Sequence, residues 1–321
     1  MTTTDALDTD YDVAVIGGGA AGLSGALMLG RSRRSVVVID AGAPRNAPAD
    51  GIHGLLGYDG MPPAEYLRRG TADVARYGGN VIAGEVAEIT RDDAGFALTL
   101  TDGRATRARR VLLATGLVDE LPDVDGLAER WGRDLVHCPY CHGWEVRDRA
   151  IAVLATGPMA FHTTLLWRQL SDRVVLLRNG IDFSAEQLAQ LAARGVRIAE
   201  GRVQSVVTTD DAITGVELAD GTIVVCEVVT VGSHMAARGA ELLSALGLTL
   251  TEHPSGMGSY LVTDPAGRTE APGVWAAGNI TDLSAQVGAA AAAGAMAGAQ
   301  INADLAMEEA ADAVADRAKA G

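Results

Sequence analysis

The chain has 321 residues, enough for about two domains, and a hydrophobic content of 48%, which is typical of a globular α/β protein. Its formal net charge of −15 argues against nucleic acid or an anionic membrane surface as a partner, because both select basic surfaces. There is no cationic start followed by an apolar core and no long uncharged apolar run, so we expect no signal peptide, no membrane partner and a cytoplasmic location.

The first elements along the chain form a nucleotide-binding pattern. The apolar run at 11–16 predicts a buried parallel strand, and a second strand over 35–39 ends at Asp40. Between them lie a GxGxxG turn and the start of a helix, formed by Gly17, Gly19, Ala20, Ala21 and Gly22. Because the strands, the glycines, the helix and the acidic residue come in the required order, the pattern predicts a dinucleotide site at the helix N-terminus. It does not decide between FAD and NAD.

Two of the three cysteines, Cys138 and Cys141, form a CxxC pair flanked by His137 and His142. Thiols at this spacing can close and reopen a small disulfide ring, which is two-electron chemistry. Half of a zinc site is the alternative, but a structural zinc site needs four ligands, and the remaining cysteine, Cys226, lies alone in an apolar run. We therefore predict a redox pair and no metal site.

The end of the chain contains a second candidate cofactor segment. Residues 271–279 predict a strand and a tight turn that lead into a long helix rich in alanine and glycine. A helix N-terminus suits the partial negative charge of a reduced flavin. A helix that only packs on a neighbour is the alternative, so this segment by itself does not settle the cofactor.

Taken together, these motifs resemble those of the thioredoxin-reductase-like flavoproteins over almost the whole chain. The shared motifs are GGGAAG at 17–22, Ala-Thr-Gly at 114–116, the CxxC pair at 138–141 and Trp-Ala-Ala-Gly at 275–278, in the family's order. The resemblance implies an α/β fold of two Rossmann-like, three-layer ββα domains, the second inserted into the first. It implies an FAD domain over 1–117 and 246–321, an inserted domain over 118–245 that carries the CxxC pair, FAD as cofactor, and a homodimer.

The resemblance also assigns residues to the FAD site. Besides the first turn and Asp40, they are Ala41, Arg45, Asn46, His53, Ala114, Thr115, Gly116, Gly278, Asn279, Gln286 and Val287. One of them departs from the family, which usually has Asp where Asn279 stands. Because an amide can still hydrogen-bond a ribityl hydroxyl, we expect FAD binding to persist.

The second dinucleotide pattern departs further. Reductases of the family bind NADPH at a second glycine turn, but here Ala155 replaces the first glycine, and Pro158 stiffens the turn and lacks a backbone N–H. After the next predicted strand a single arginine, Arg178, stands where the reductases carry a basic cluster. We expect the domain to keep its fold without a nicotinamide site. A tolerant variant that still binds NADPH is the alternative.

A CxxC pair and an FAD site without a nicotinamide site favour electron flow from a dithiol substrate. The chain resembles the gliotoxin- and holomycin-type dithiol oxidases in Cys-Pro-Tyr-Cys-His-Gly-Trp-Glu at 138–145 and in the segment 44–60. This implies an FAD-dependent oxidase that closes a disulfide in a small natural-product dithiol during antibiotic biosynthesis. Electrons would pass from the substrate to the Cys138–Cys141 disulfide, to FAD and to O2, giving hydrogen peroxide. Cys141 would lie against the flavin and Cys138 would exchange with the substrate.

His142 stands where ordinary thioredoxin reductases carry an Asp. An oxidase needs a base for the incoming thiol, and an imidazole with a pKa near ~6.5 can serve near neutrality. His137 is the second candidate base, and Asp282 is the carboxylate that we expect to orient it. The alternative function is an NADPH-dependent thioredoxin or disulfide reductase. A redox-sensing flavoprotein without turnover is the third hypothesis.

Overall fold

The structure is a computed structural model that describes residues 7–320, so the first six residues and Gly321 of the expected FAD domain lie outside it. The α-helices are α1 (Ala20–Arg31), α2 (Pro63–Arg76), α3 (Pro139–His142), α4 (Ala160–Trp167), α5 (Ala185–Ala193), α6 (Ala240–Ala245) and α7 (Val287–Ala320). The strands are β1 (Asp10–Ile16), β2 (Val36–Asp40), β3 (Asn80–Ala83), β4 (Val86–Asp92), β5 (Gly95–Leu100), β6 (Ala105–Leu113), β7 (Leu117–Glu120), β8 (Leu135–Val136), β9 (Ile151–Leu154), β10 (Val174–Leu177), β11 (Arg197–Ala199), β12 (Val203–Thr209), β13 (Ala212–Leu218), β14 (Ile223–Val225), β15 (Val228–Val231), β16 (His234–Ala237), β17 (Leu250–Glu252), β18 (Ser259–Leu261) and β19 (Val274–Ala276).

The larger sheet has seven strands and contains segments from both ends of the chain. β3, β2, β1 and β6 run parallel in that order, and β19 lies parallel beside the C-terminal half of β6. β5 and β4 continue antiparallel from the N-terminal half of β6. Alternate residues of β1 enter two separate cores: Ala14 and Ile16 pack with β4 and β5, whereas Val13 and Val15 pack with α1 and α7. Burial on both faces explains why the second half of β1, residues 13–16, is an unbroken apolar run. We call this sheet with α1, α2, α6 and α7 the first unit.

A second parallel sheet repeats this architecture within residues 135–231. Its order is β11-β10-β9-β15-β8, and the antiparallel strands β12, β13 and β14 cover one face. On the other face, Ile151 and Val153 of β9 pack with α4 and α5 around the buried Trp167. The predicted α/β fold of two Rossmann-like, three-layer domains is confirmed. We call this part, with α3, α4 and α5, the second unit.

The chain passes between the two units through β7 and β16, which pair antiparallel from Leu117 opposite Ala237 to Glu120 opposite His234. The helix that follows, α6, already belongs to the first unit, because its Leu242 and Leu243 are buried in that core. We therefore propose a domain division at the β7–β16 pair, with the return to the first unit at α6 rather than at the expected residue 246.

The alanine- and glycine-rich helix α7 packs on α1 with the two backbones in contact. A Cβ on Gly294 would lie 1.9 Å from the carbonyl oxygen of Ala21, and one on Gly298 would lie 2.5 Å from that of Gly25. Small residues are therefore a packing requirement in this helix. Although α7 has 34 residues, neither it nor any other helix within 7–320 combines the length and apolar character of a membrane span.

Candidate active site

A cavity of about 1780 Å³ lies between the two units, and both line it. It is bordered by the first glycine turn, by the 114–116 turn, by the CxxC segment and by the N-terminal end of α7. The predicted site residues that line it are Gly17, Gly19, Ala20, Ala21, Asp40, Ala41, Arg45, Asn46, His53, Ala114, Thr115, Gly116, His137, Cys138, Cys141, His142, Gly278, Asn279, Asp282, Gln286 and Val287. Gly22 lies behind the turn, where a Cβ would meet the carbonyl oxygen of Gly17 at 1.9 Å.

The glycine turn after β1 has the geometry of a dinucleotide site. Gly17 has φ +107°, and a Cβ there would lie 2.3 Å from the carbonyl oxygen of Ala114, so no other residue fits. A Cβ on Gly19 would meet nothing within 4 Å, which leaves the start of α1 open to the cavity. The Gly18 N–H donates to one carboxylate oxygen of Asp40 at 3.0 Å, and the other oxygen is left for a nucleotide hydroxyl. These residues fit the pyrophosphate and ribose of FAD.

The CxxC pair forms a disulfide at the start of α3. Cys138 is the N-cap residue in an extended conformation, and Pro139 occupies the first helical turn, where its missing N–H costs no hydrogen bond. The Cys138 carbonyl oxygen accepts from the His142 N–H at 3.1 Å. The short helix therefore places both cysteines and His142 next to one another.

The two candidate bases have different environments. His137 Nδ1 lies 3.1 Å from the Val231 carbonyl oxygen, which can only accept, so Nδ1 carries the proton and Nε2 is the basic nitrogen. Nε2 of His142 is buried without a hydrogen-bond partner among the described residues. Burial lowers the pKa of both imidazoles below 6.5, against the opposing charges of Asp119 near His137 and Glu145 near His142. Both side chains are therefore neutral bases at neutral pH.

Asp282 lines the cavity, but its carboxylate does not orient a histidine. It accepts from the Ser284 N–H at 2.9 Å and from the Ser284 hydroxyl at 2.7 Å, and within the described residues it has no bond to His137 or His142. The acidic residues whose charges act on His142 are Glu145 and Asp50. The structure therefore gives Asp282 no contact with a candidate base, and the carboxylate whose charge acts most strongly on His142 is that of Glu145.

His53 links a loop of the first unit to the CxxC segment. Its Nε2 lies 3.6 Å from a carboxylate oxygen of Glu145, and its Nδ1 lies 3.5 Å from one of Asp59. Asp59 in turn accepts from the Gly54 N–H at 2.9 Å. The resemblance assigns His53 to the cofactor site; the residue lines the cavity, and its contact with Glu145 also joins the two units.

Arg45 makes a second link, which the sequence did not indicate. Its guanidinium donates twice to the carboxylate of Asp119 in β7, each time at 2.6 Å, and Asp119 also accepts from the Ser233 hydroxyl at 2.6 Å. The carboxylate is only 7% exposed. Burial alone would raise the pKa of Asp119, but the hydrogen bonds and charge of Arg45 outweigh it and hold the pKa below 3.8. Asp119 and Ser233 both line the cavity.

The second turn, after β9, is tied to a neighbouring strand end. The Thr156 hydroxyl donates to the Gly232 carbonyl oxygen at 2.9 Å. Arg178, the single arginine at the expected phosphate position, pairs with Glu200 at 2.9 Å and with Asp182 at 3.2 Å. A phosphate would therefore meet two carboxylates beside this arginine.

Cys226 is 1% exposed in the core of the second unit, where burial raises the pKa of its thiol to about 12. It is therefore an inert core thiol. No group of three or more His, Cys, Asp or Glu side chains within residues 7–320 is arranged to hold a metal ion.

A flavoprotein of the disulfide-reductase type is the class that this fold and cavity define. The chain belongs to the pyridine nucleotide-disulphide oxidoreductase family, whose model matches residues 11–298. It is 34% identical over 280 residues to thioredoxin reductase tcpT of Claviceps purpurea, covering 84% of this chain and 86% of that protein. Two solved structures are similar at TM-scores of 0.90 and 0.87. The first is HlmI, 44% identical over 97% of both chains, and the second is an oxidoreductase from Agrobacterium tumefaciens, 36% identical over 93% of this chain and 99% of that one.

These matches confirm the resemblance to the thioredoxin-reductase-like flavoproteins. FAD is therefore the cofactor, in agreement with the geometry of the first glycine turn. The protein is a redox enzyme of this family, and its direction of electron flow is the remaining question.

Proposed function

We propose that the protein is an FAD-dependent dithiol oxidase, which converts a small dithiol and O2 into a cyclic disulfide and hydrogen peroxide. One observation carries the proposal: the Cys138–Cys141 disulfide and the FAD-type glycine turn share a cavity, while the second turn lacks the features of a nicotinamide site. In that turn Thr156 is bonded to Gly232, Pro158 offers no N–H, and Arg178 is already paired with acids.

The sulfur chemistry takes two exchange steps. A substrate thiolate attacks Sγ of Cys138, the bond to Sγ of Cys141 breaks, and Cys141 leaves as a thiolate. The second substrate thiolate then attacks the substrate sulfur bound to Cys138, which closes the substrate disulfide and releases Cys138. FAD, when bound, accepts the two electrons and transfers them to O2. In sum, the dithiol loses two electrons and two protons, and O2 gains both to become hydrogen peroxide.

His142 is the base in this proposal. It lies one residue after Cys141 in the same helical turn, it is neutral at neutral pH, and its buried Nε2 has no partner within the described chain. His137 is the second candidate, with Nε2 basic because Nδ1 donates to Val231. Glu145 is the carboxylate that stabilises the protonated imidazole.

The substrate in this proposal is an uncharged natural-product dithiol of the kind found in gliotoxin or holomycin biosynthesis. The cavity-lining residues between 131 and 166, which include the CxxC segment, contain no Asp, Glu, Lys or Arg, and this suits an uncharged organic molecule. The cavity volume of about 1780 Å³ exceeds the ~300–1,000 Å³ of ordinary ligand sites, which agrees with a site for both FAD and a substrate. The proposed location is the cytoplasm, where a CxxC pair serves redox catalysis.

We also propose that the protein forms a homodimer through the outer face of α7. The inner face packs on the first unit through buried Ile301 and Leu305. On the outer face Met307 is 73% and Val314 is 71% exposed, and a spacing of seven residues puts them on one side of the helix. The described side chains from 309 to 319 are all exposed, and a helical end of this length is marginal without a packing partner.

Anaerobic stopped-flow spectroscopy tests the oxidase proposal. Mixed with dithiothreitol, the oxidised holoenzyme should lose its flavin absorbance quickly, whereas NADPH should reduce it slowly or not at all. Cys138→Ser should abolish reduction by the dithiol and the accompanying O2 uptake, and the matched variant Cys226→Ala should retain both. Fast reduction by NADPH would contradict the proposal and favour the reductase. Reduction by dithiol without sustained O2 uptake would favour a redox sensor.

A further inference from the structure

Asn279 stands at the turn between β19 and α7, and its side-chain nitrogen has unusually many acceptors. Nδ2 lies 2.9 Å from the carbonyl oxygen of Ala285, 3.1 Å from that of Asp282 and 3.4 Å from that of Leu283. All three acceptors belong to the short segment that leads into α7. The two N–H bonds of one amide therefore hold this segment in place.

Only a donor fits at this position. An oxygen in place of Nδ2 would face three carbonyl oxygens, and an ionised oxygen would add charge repulsion to the loss of two hydrogen bonds. The bonds also fix the amide orientation, because the nitrogen must point towards the three carbonyls. Oδ1 is then the one acceptor that Asn279 can offer to a group in the cavity, which the residue lines.

We propose that Asn279 is a positioning residue: its amide nitrogen orders the 282–285 segment and thereby the N-terminal end of α7 at the FAD cavity. Gln286 and Val287, which line the cavity, directly follow the segment that these bonds order. An aspartate has no side-chain N–H and cannot take this role. Asn279→Asp therefore weakens FAD binding in this chain.

The chain offers a matched control for this substitution. Asn302 in α7 uses its oxygen instead of its nitrogen, because Oδ1 accepts from the Arg34 Nε–H at 2.8 Å. Asn302→Asp keeps that acceptor and gives it a charge opposite to that of Arg34. The two Asn→Asp substitutions therefore test the same chemical change where the nitrogen is needed and where it is not.

The experiment measures the FAD dissociation constant by flavin fluorescence and the thermal unfolding of the apoprotein. We expect Asn279→Asp to raise the dissociation constant at least about tenfold, the size of one to two lost hydrogen bonds, and to lower the apoprotein Tm. Asn302→Asp should leave the dissociation constant unchanged and should not lower the Tm. An Asn279→Asp protein with parental FAD affinity and parental Tm would overturn the proposal.

A pH series separates positioning by a donor from a general loss of packing. Protonation makes the introduced carboxyl a donor again, so the FAD-binding defect of Asn279→Asp should shrink from pH 8 to pH 5. Asn279→Ala also removes the donors but cannot regain them, and its smaller defect should not depend on pH. If Asn279→Asp does not fold, Asn279→Ala decides alone: parental FAD affinity and Tm in that variant would overturn the proposal. If Asn279→Asp folds and its loss of FAD affinity is the same at pH 8 and pH 5, the proposal is also overturned.

Discussion

The link between Arg45 and Asp119 gives the sharpest prediction about stability. Asp119→Ala removes a carboxylate that is 7% exposed and leaves a guanidinium that is 24% exposed without its bidentate partner. Breaking a buried pair from one side costs about 3–5 kcal/mol, because the remaining charge stays desolvated. Since Arg45 keeps some contact with water, we expect Asp119→Ala to lower the free energy of unfolding by the smaller of these values, about 3 kcal/mol. At ~2 °C per kcal/mol for a chain of this size, Tm falls by about 6 °C.

The pH dependence of this effect has a definite sign. The folded-state pKa of Asp119 lies below 3.8, so the pair contributes its full stability above 3.8 and loses it as the pH falls through the folded-state value. The difference between the parent and Asp119→Ala should therefore be constant from neutral pH down to about pH 5 and narrow only in stronger acid.

Urea unfolding followed by circular dichroism, with thermal scans on the same proteins, measures this difference. Glu65→Gln is the control, because Glu65 pairs with Arg68 and Arg69 on an exposed helix surface, where such pairs add little. Arg45→Met with Asp119→Ala completes a double-mutant cycle. If Asp119→Ala lowers the free energy of unfolding by less than about 1 kcal/mol near neutral pH, or by no more than Glu65→Gln does, the proposed contribution of the Arg45–Asp119 pair is refuted.

Two further predictions concern catalysis and assembly. The kcat/KM for a dithiol should fall in acid with an inflection below pH 6.5, because burial lowers the pKa of His142 and only its neutral form is a base. In His142→Gln, kcat/KM should fall about 10²–10⁴-fold and should no longer decrease in acid. His162→Gln, at an exposed histidine, should keep both the parental kcat/KM and its pH dependence. An unchanged pH profile in His142→Gln would contradict the assignment of His142 as the base. By light scattering, Met307→Glu with Val314→Glu should convert a dimer to a monomer, whereas Val262→Glu, at a residue 49% exposed elsewhere, should not. A monomeric parent protein would reject the proposed interface.

The parts of the fold that the sequence predicted are those with a strong local pattern. β9 and the second half of β1, residues 13–16, are buried on both faces, so each is an unbroken apolar run that ends at a turn. The close approach of α7 to α1 likewise requires small residues, which is visible as the alanine- and glycine-rich stretch. The glycine turn at 17–22 and the CxxC pair are equally local, and the structure places both at one cavity.

Sequence reasoning assigned Arg45 to the FAD site but missed its contact with Asp119, because that contact joins distant segments. Arg45 and Asp119 are 74 positions apart, and no spacing rule pairs them. Glu145 belongs to the motif at 138–145, but its position three residues after His142, in the turns that follow α3, was not used to pair it with that histidine. The structural role of Asp282 could have been predicted locally, because Asp in turns commonly accepts a hydrogen bond from the backbone N–H two residues later, as Asp282 does from Ser284.

The position of β19 in the first sheet has a consequence for synthesis on the ribosome. β19 pairs with the C-terminal half of β6, and Trp275 within it is fully buried, so the first unit is incomplete until β19 has emerged. The second unit is contiguous along the chain and needs nothing that follows β16 for its sheets. The second unit can therefore be complete while β6 in the first unit still lacks its partner β19 and exposes a strand edge. The helix α7, which packs on α1, is the last helix to join the first unit.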